Sequence, residues 1–240
     1  MRALPAAAVL LVACLVVSGC TGSDDSPSRP ETGVSPTVPT TTSAPTGPTS
    51  AASMSATSSP STLIDRLLPT GLVPGLNAGW TWQDGDTGPA VTDPFGLCAK
   101  VDLASIGATE VVERTYFPPD DSDDNAAEQV AEFPDRATAA RAWAVLKSWH
   151  DTCNRTVGAD IGLRVRPLVP VPVTAGTGRW YLLSWQPAGE ETGRFEAFGM
   201  VLNGTRLAVL RIDNSGQDHD YPPGQEPMVS MVTAAAGWLT

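Results

Sequence analysis

The sequence predicts an α+β fold, an antiparallel sheet with helices packed on one face, in a single domain over residues 63–240. Three observations carry this. Strand-like runs rich in β-branched and aromatic residues occupy most of the second half. The Asn203-Gly204 pair between two such runs is a strong hairpin signal. Two stretches have apolar residues three and four apart, one mid-domain and one at the C-terminus. Strands, then a helix, then meandering strands, then a helix is the order of an α+β domain.

Taken in order, Leu63 to Leu68 reads as a short amphipathic turn stopped by Pro69. Trp80-Thr81-Trp82 alternates and predicts an edge strand, whereas Asp84 to Pro94 is turn-rich. A short helix is expected over Val101 to Ile106. Glu110 to Phe117 and Asn125 to Phe133 predict two strands paired as a hairpin across the acidic loop Asp120 to Asp124. Asp135 is placed to cap a long helix. Its apolar face would be Ala139, Ala142, Trp143, Leu146, Trp149, His150 and Cys153. Four more strands are expected at Leu163 to Val169, Arg179 to Gln186, Phe195 to Leu202 and Thr205 to Ile212. The last helix, about Glu226 to Leu239, would bury Met228, Met231, Val232, Ala235 and Leu239.

The chain before this domain divides in two. Residues 1–19 have a positive start at Arg2, an apolar run from Leu4 to Val17, and Ser18-Gly19 before Cys20. This pattern resembles the bacterial lipobox, which implies cleavage before Cys20 and lipidation of that cysteine. An ordinary secretory signal is the alternative. The apolar run is shorter than the roughly 20 residues a membrane span needs, so attachment would be by lipid and not by a spanning helix. Residues 20–62 then form a Ser/Thr/Pro tether with no aromatic residue, a composition that cannot bury a core. At a polyproline rise of roughly 3.1 Å per residue, its 42 residues from Thr21 reach about 130 Å. All seven tryptophans lie beyond it.

Charge and cysteines narrow the partners. The formal net charge is -11 and the only lysines are Lys100 and Lys147. Nucleic acid is therefore excluded as a partner, because its binding is dominated by phosphate neutralisation. Of the four cysteines, Cys14 leaves with the signal and Cys20 takes lipid, so Cys98 and Cys153 most simply pair in an oxidising compartment.

Catalytic and metal motifs are absent: there is no Gly-x-Ser-x-Gly and no His-Glu-x-x-His. Asp121, Asp123, Asn125 and Glu132 match a calcium-loop register, but Ala126 stands where the loop needs glycine. The expectation is thus a protein with no enzyme activity, no cofactor and no metal. Trp80, Trp82, Trp180 and Trp185 are candidates to stack on sugars or line an apolar cleft, and His219 between Asp218 and Asp220 could orient a ligand. Trp180 and Trp185 are five apart, so a regular strand points them to opposite faces. The ligand would sit on the sheet face left uncovered by both helices, roofed by the segment around Trp80 and Trp82.

The order of motifs also resembles a known family. Glu128-Gln129-Val130-Ala131-Glu132-Phe133-Pro134-Asp135 runs into Ala139-Ala140, followed by Trp149 to Cys153 and by Gly199 to Ala208 in the last hairpin. These features resemble the actinobacterial PknH-like extracellular sensor domain. The resemblance implies an α+β domain with a cleft, stapled by disulfide, that binds an unidentified ligand. This sequence departs from it in having one disulfide pair and no kinase domain. The expected role is a ligand-binding or sensor-like lipoprotein on the outer face of the cell membrane. Its partner would be a small molecule, glycan or envelope protein. The alternative is a structural or interaction protein that binds envelope polymer or a partner protein.

Overall fold

The computed structural model describes residues 62–216 and 221–240, so the signal segment, Cys20, nearly all of the tether and His219 lie outside the described residues. Eight strands form one sheet: β1 (Gln83–Pro89), β2 (Glu110–Phe117), β3 (Asn125–Glu132), β4 (Arg164–Val165), β5 (Val169–Val171), β6 (Thr177–Trp185), β7 (Gly193–Asn203) and β8 (Arg206–Gly216). Their order is β1-β2-β3-β8-β7-β6-β4, with β5 also on β6, and every pairing is antiparallel. The helices are α1 (Arg136–Thr156), the single turn α2 (Gly158–Ile161) and α3 (Pro227–Trp238). The α+β class and the antiparallel sheet are as expected.

The helices do not share one face, and this corrects the predicted layering. Along β8, Leu207 and Val209 pack in the cluster with α1, while Ala208, Leu210 and Ile212 pack in the cluster with α3. On β3, Ala127 and Ala131 join the first cluster, and Ala126 and Val130 the second. Central strands that are apolar on both sides require a cover on both sides, because each exposed face would leave a large area of apolar surface in water. Two cores result, with the sheet between them.

Each helix forms for the reasons its sequence suggests. Asp135 caps α1, its carboxylate accepting the Thr138 N–H at 2.7 Å. The buried stripe is Ala139, Ala142, Leu146, Trp149 and Cys153. Pro227 opens α3, where a missing N–H costs nothing, and Met228, Met231, Val232, Ala235 and Ala236 face the sheet. A disulfide joins Cys98 to Cys153, with Cα atoms 5.2 Å apart, and ties the end of α1 to the 95–103 segment.

Other differences are local. Trp80 to Trp82 is not a strand; β1 falls instead in the stretch read as turns. Its Gln-Asp-Gly-Asp-Thr-Gly-Pro sequence shows no apolar alternation because it is an edge strand, held by main-chain pairing to β2 around an irregularity between Asp84 and Thr87. The predicted strand at Leu163 to Val169 is two short strands, β4 and β5, because Pro167 interrupts the ladder. The β7–β8 turn centres on Gly204-Thr205, with Asn203 paired to Arg206 and Gly204 at φ 66°.

Candidate functional site

The site follows from a mismatch of lengths. Strands β7 and β8 each have 11 residues, about 36 Å at 3.3 Å per residue. Helix α3 has 12 residues, about 18 Å at 1.5 Å per residue. It lies close on the sheet because glycines face it: a Cβ on Gly199 would stand 2.5 Å from Met228 Sδ and 2.6 Å from Val232 Cγ2. Past the N-terminus of α3, the same sheet face has no helix on it.

That uncovered end is a cavity of about 300 Å³. Trp180, Leu182, Ala197 and Ile212 form its floor, and Met228 closes it on the helix side. Leu76 and Tyr221 complete the wall; the Tyr221 hydroxyl donates to the Leu76 carbonyl at 2.6 Å. Few polar groups enter: Arg166, Asn214 and the cap residue Glu226. The Oε2 atom of Glu226 is buried and has no hydrogen-bond partner among the described residues. An apolar chamber with one under-used acceptor is the composition of a small-molecule pocket.

The sequence candidates separate clearly. Trp180 lines this cavity. Trp82 does not; it is 3% exposed within the core, and its indole N–H donates to the Pro74 carbonyl at 2.9 Å. Trp80 packs edge-on against it with ring centroids 5.3 Å apart and is half-buried at the border of that core. The expected roof is therefore made by Leu76 and Tyr221 and not by the two tryptophans. Trp185 points to the other sheet face, packed beside the α1 core. No sheet face is left wholly uncovered; each helix leaves the same end of the sheet open.

The open end on the α1 side holds a second cavity, about 420 Å³, with Trp185, Arg194, Glu196, Arg211 and Asp213 in its walls. Glu196 and Asp213 are direct cross-strand partners. Burial, reinforced by the Asp213 charge, pushes the Glu196 carboxyl up to about 7, against the pull of the Leu97 N–H and Arg211. Burial likewise pushes Asp213 up to about 6, although Arg211 and Asn125 oppose it. Arg211 Nε stands 2.9 Å from Asp213 Oδ2, an ion-pair distance without hydrogen-bond alignment, and its guanidinium lies 5.2 Å from the Phe95 ring centroid.

Other groups have structural work. Both ring nitrogens of His150 are engaged, Nδ1 with Asp151 and Nε2 with the Arg166 carbonyl, each at 3.0 Å. Glu132 pairs with Arg206 at 2.9 Å, which removes it from the calcium-loop register. Among the described residues, no group of three or more His, Cys, Asp and Glu is placed to hold a metal ion, and no helix is long and apolar enough to cross a membrane.

Sequence reasoning did not single out Glu226, Glu196 or Asp213. Glu196 carried a signal, an acid inside the apolar strand Phe195 to Leu202. Glu226, in a Pro/Gly-rich approach to a helix, carried none.

No family model matches the chain, and no curated protein matches it. Among solved structures it is similar to the extracellular domain of PknH from Mycobacterium tuberculosis, at 12% identity and a TM-score of 0.38, over 66% of this chain and 84% of that one. A likeness that distant carries no argument about function.

Proposed function

We propose that the chain is a lipid-anchored protein on the outer face of the cell membrane that binds, without turnover, a small molecule with an apolar body and a hydrogen-bond donor. The observation that carries this is the cavity itself, lined by Trp180, Leu182, Ala197, Ile212 and Met228, with the Glu226 carboxylate among the few polar groups in its wall. A hydroxyl or amine on the ligand would donate to that carboxylate, a hydrogen bond to a charged group being worth about 1.5–3 kcal/mol. The apolar walls supply the rest of the affinity by burial. Anchoring draws its support from the lipobox pattern at Cys20, and the sensor-like role from the motif order shared with the PknH-like domain.

The test uses the chain with Cys20→Ser and N-phenyl-1-naphthylamine, an apolar probe with one N–H donor whose fluorescence rises on leaving water. Saturable binding is expected. Ala197→Trp fills the floor and should abolish it. Glu226→Leu removes the acceptor and should weaken it about tenfold or more, the size of a hydrogen bond to a charged group. Binding that is undiminished in Ala197→Trp refutes the placement.

A further inference from the structure

We infer that the cavity on the α1 side of the sheet is a second binding site, shaped for the hydroxyl face of an uncharged carbohydrate. Its walls come from adjacent strands in register: Trp185 opposite Arg194 on β6 and β7, and Glu196 opposite Asp213 on β7 and β8. Asn125 on β3 lies opposite Asp213 and extends the polar row. One aromatic plate thus stands beside alternating hydrogen-bond donors and acceptors, all on rigid strand positions.

Charge bookkeeping within the cluster decides the ligand class. Arg211 is engaged by Asp213 at 2.9 Å and stacks on Phe95. Arg194 is engaged by Glu190 at 3.2 Å and by Asp123 at 4.0 Å. The arginines are therefore already neutralised, and an added phosphate or sulfate would meet three carboxyl groups, Asp123, Glu196 and Asp213. A simple cation would meet two guanidinium groups instead. A sugar hydroxyl donates one hydrogen bond and accepts two, so it suits a wall where both kinds of group alternate.

Glu196 supplies a specific acceptor. It is 4% exposed, and its two oxygens share a single donor, the Leu97 N–H, at 3.0 Å each. A carboxyl group can accept more than one N–H provides, and this one lines the cavity. Half-buried Trp185 offers the apolar ring face on which the C–H side of a pyranose stacks. Exposed Pro94 and Asp123 on the rim leave the cavity open to solvent on one side, which suits one unit of a longer chain.

The experiment is an array of uncharged gluco-, manno- and galacto-oligosaccharides, with a charged set beside it, probed with the Cys20→Ser chain and followed by titration of tryptophan fluorescence. Binding to one uncharged class is expected. Trp185→Ala should weaken it at least tenfold, Trp185→Phe by no more than about threefold, and Arg194→Ala about tenfold. Arg194 is partly exposed, so its variant tests the site even where Trp185→Ala fails to fold. Ala197→Trp, which fills the other cavity, should leave the titration unchanged, so the two sites fail independently. No uncharged binder, a preference for charged sugars, or affinity unchanged in both Trp185→Ala and Arg194→Ala overturns the assignment.

Discussion

Replacing Glu128 by glutamine should make the fold more stable, by an amount that grows with pH. Glu128 is fully buried between the sheet and the N-terminal segment. Its Oε2 accepts the Leu68 N–H at 2.6 Å, with the Tyr116 hydroxyl 3.4 Å away, and its Oε1 has no partner. The Tyr116 hydroxyl and Arg114 both donate to the Leu68 carbonyl at 2.8 Å, so the cluster holds that segment down. Burial pushes the Glu128 carboxyl from an ordinary 4.5 up to about 8, although the Leu68 and Tyr116 bonds and Arg114 pull it down. The fold therefore accommodates the protonated form. Below about pH 4.5 there is no penalty; between there and about pH 8 the folded state holds a proton that the unfolded state has lost, so stability falls as pH rises. The full loss is about 5 kcal/mol at 1.36 kcal/mol per unit, and about 4 kcal/mol of it falls between pH 5 and 8. Glutamine copies the protonated shape and does not titrate. Urea unfolding of both proteins at pH 5, 6, 7 and 8 should show the Glu128→Gln advantage widening by about 4 kcal/mol, or about 10 °C in Tm for a domain of this size. A gap that stays constant across that range refutes the reasoning.

Removing the disulfide by Cys98→Ser or Cys153→Ser opens a 55-residue separation and should lower stability by up to about 4 kcal/mol, read by chemical denaturation. Gly199→Ala puts a methyl group against Met228 and Val232, and should cost about 1–3 kcal/mol by overpacking, read by calorimetry. Cys20→Ser should move the protein from the membrane fraction to the soluble one, and intact mass of the wild-type chain should show acyl groups on Cys20.

What was legible in the sequence was whatever the physics writes locally. Helix α1 announces itself because Asp135 caps it and the 139–142–146–149–153 spacing is one helical face. The β2–β3 and β7–β8 hairpins show because β-rich segments are joined by polar connections, the acidic 118–124 loop and the Asn203-Gly204 turn. The layering was also written there and misread: Leu207-Ala208-Val209-Leu210 is apolar at every position, the mark of a strand covered on both sides. Strand β1 was not legible, since main-chain pairing and polar side-chain bonds such as Arg114 to Thr87 hold it, with no apolar alternation. Trp82 stood as a candidate to stack on a ligand, and only three-dimensional packing reveals it as core. The cavities are invisible to any local rule. The first arises where 11-residue strands outrun the 12-residue α3 and the second where the same strand ends extend past the α1 core, comparisons between elements far apart in the chain.

Both cavities lie at the end of the sheet away from the chain's entry. The Trp238 indole, at the end of α3, donates to the Asp65 carbonyl at 3.0 Å, and Arg66 bonds the Thr240 carbonyl, so entry and C-terminus share one end of the domain. Strand β8 begins at that end, where Arg206 reaches the Leu239 carbonyl at 3.4 Å. Asn214 borders both cavities eight residues further along β8, about 26 Å away at 3.3 Å per residue. An anchor acting through Thr62 would therefore pull on the end of the sheet away from both cavities described. Under the proposed function, a ligand would reach the opposite end without competing with the attachment for the same surface. In the lipid-anchored reading, this is the arrangement that leaves both cavities accessible from outside the membrane.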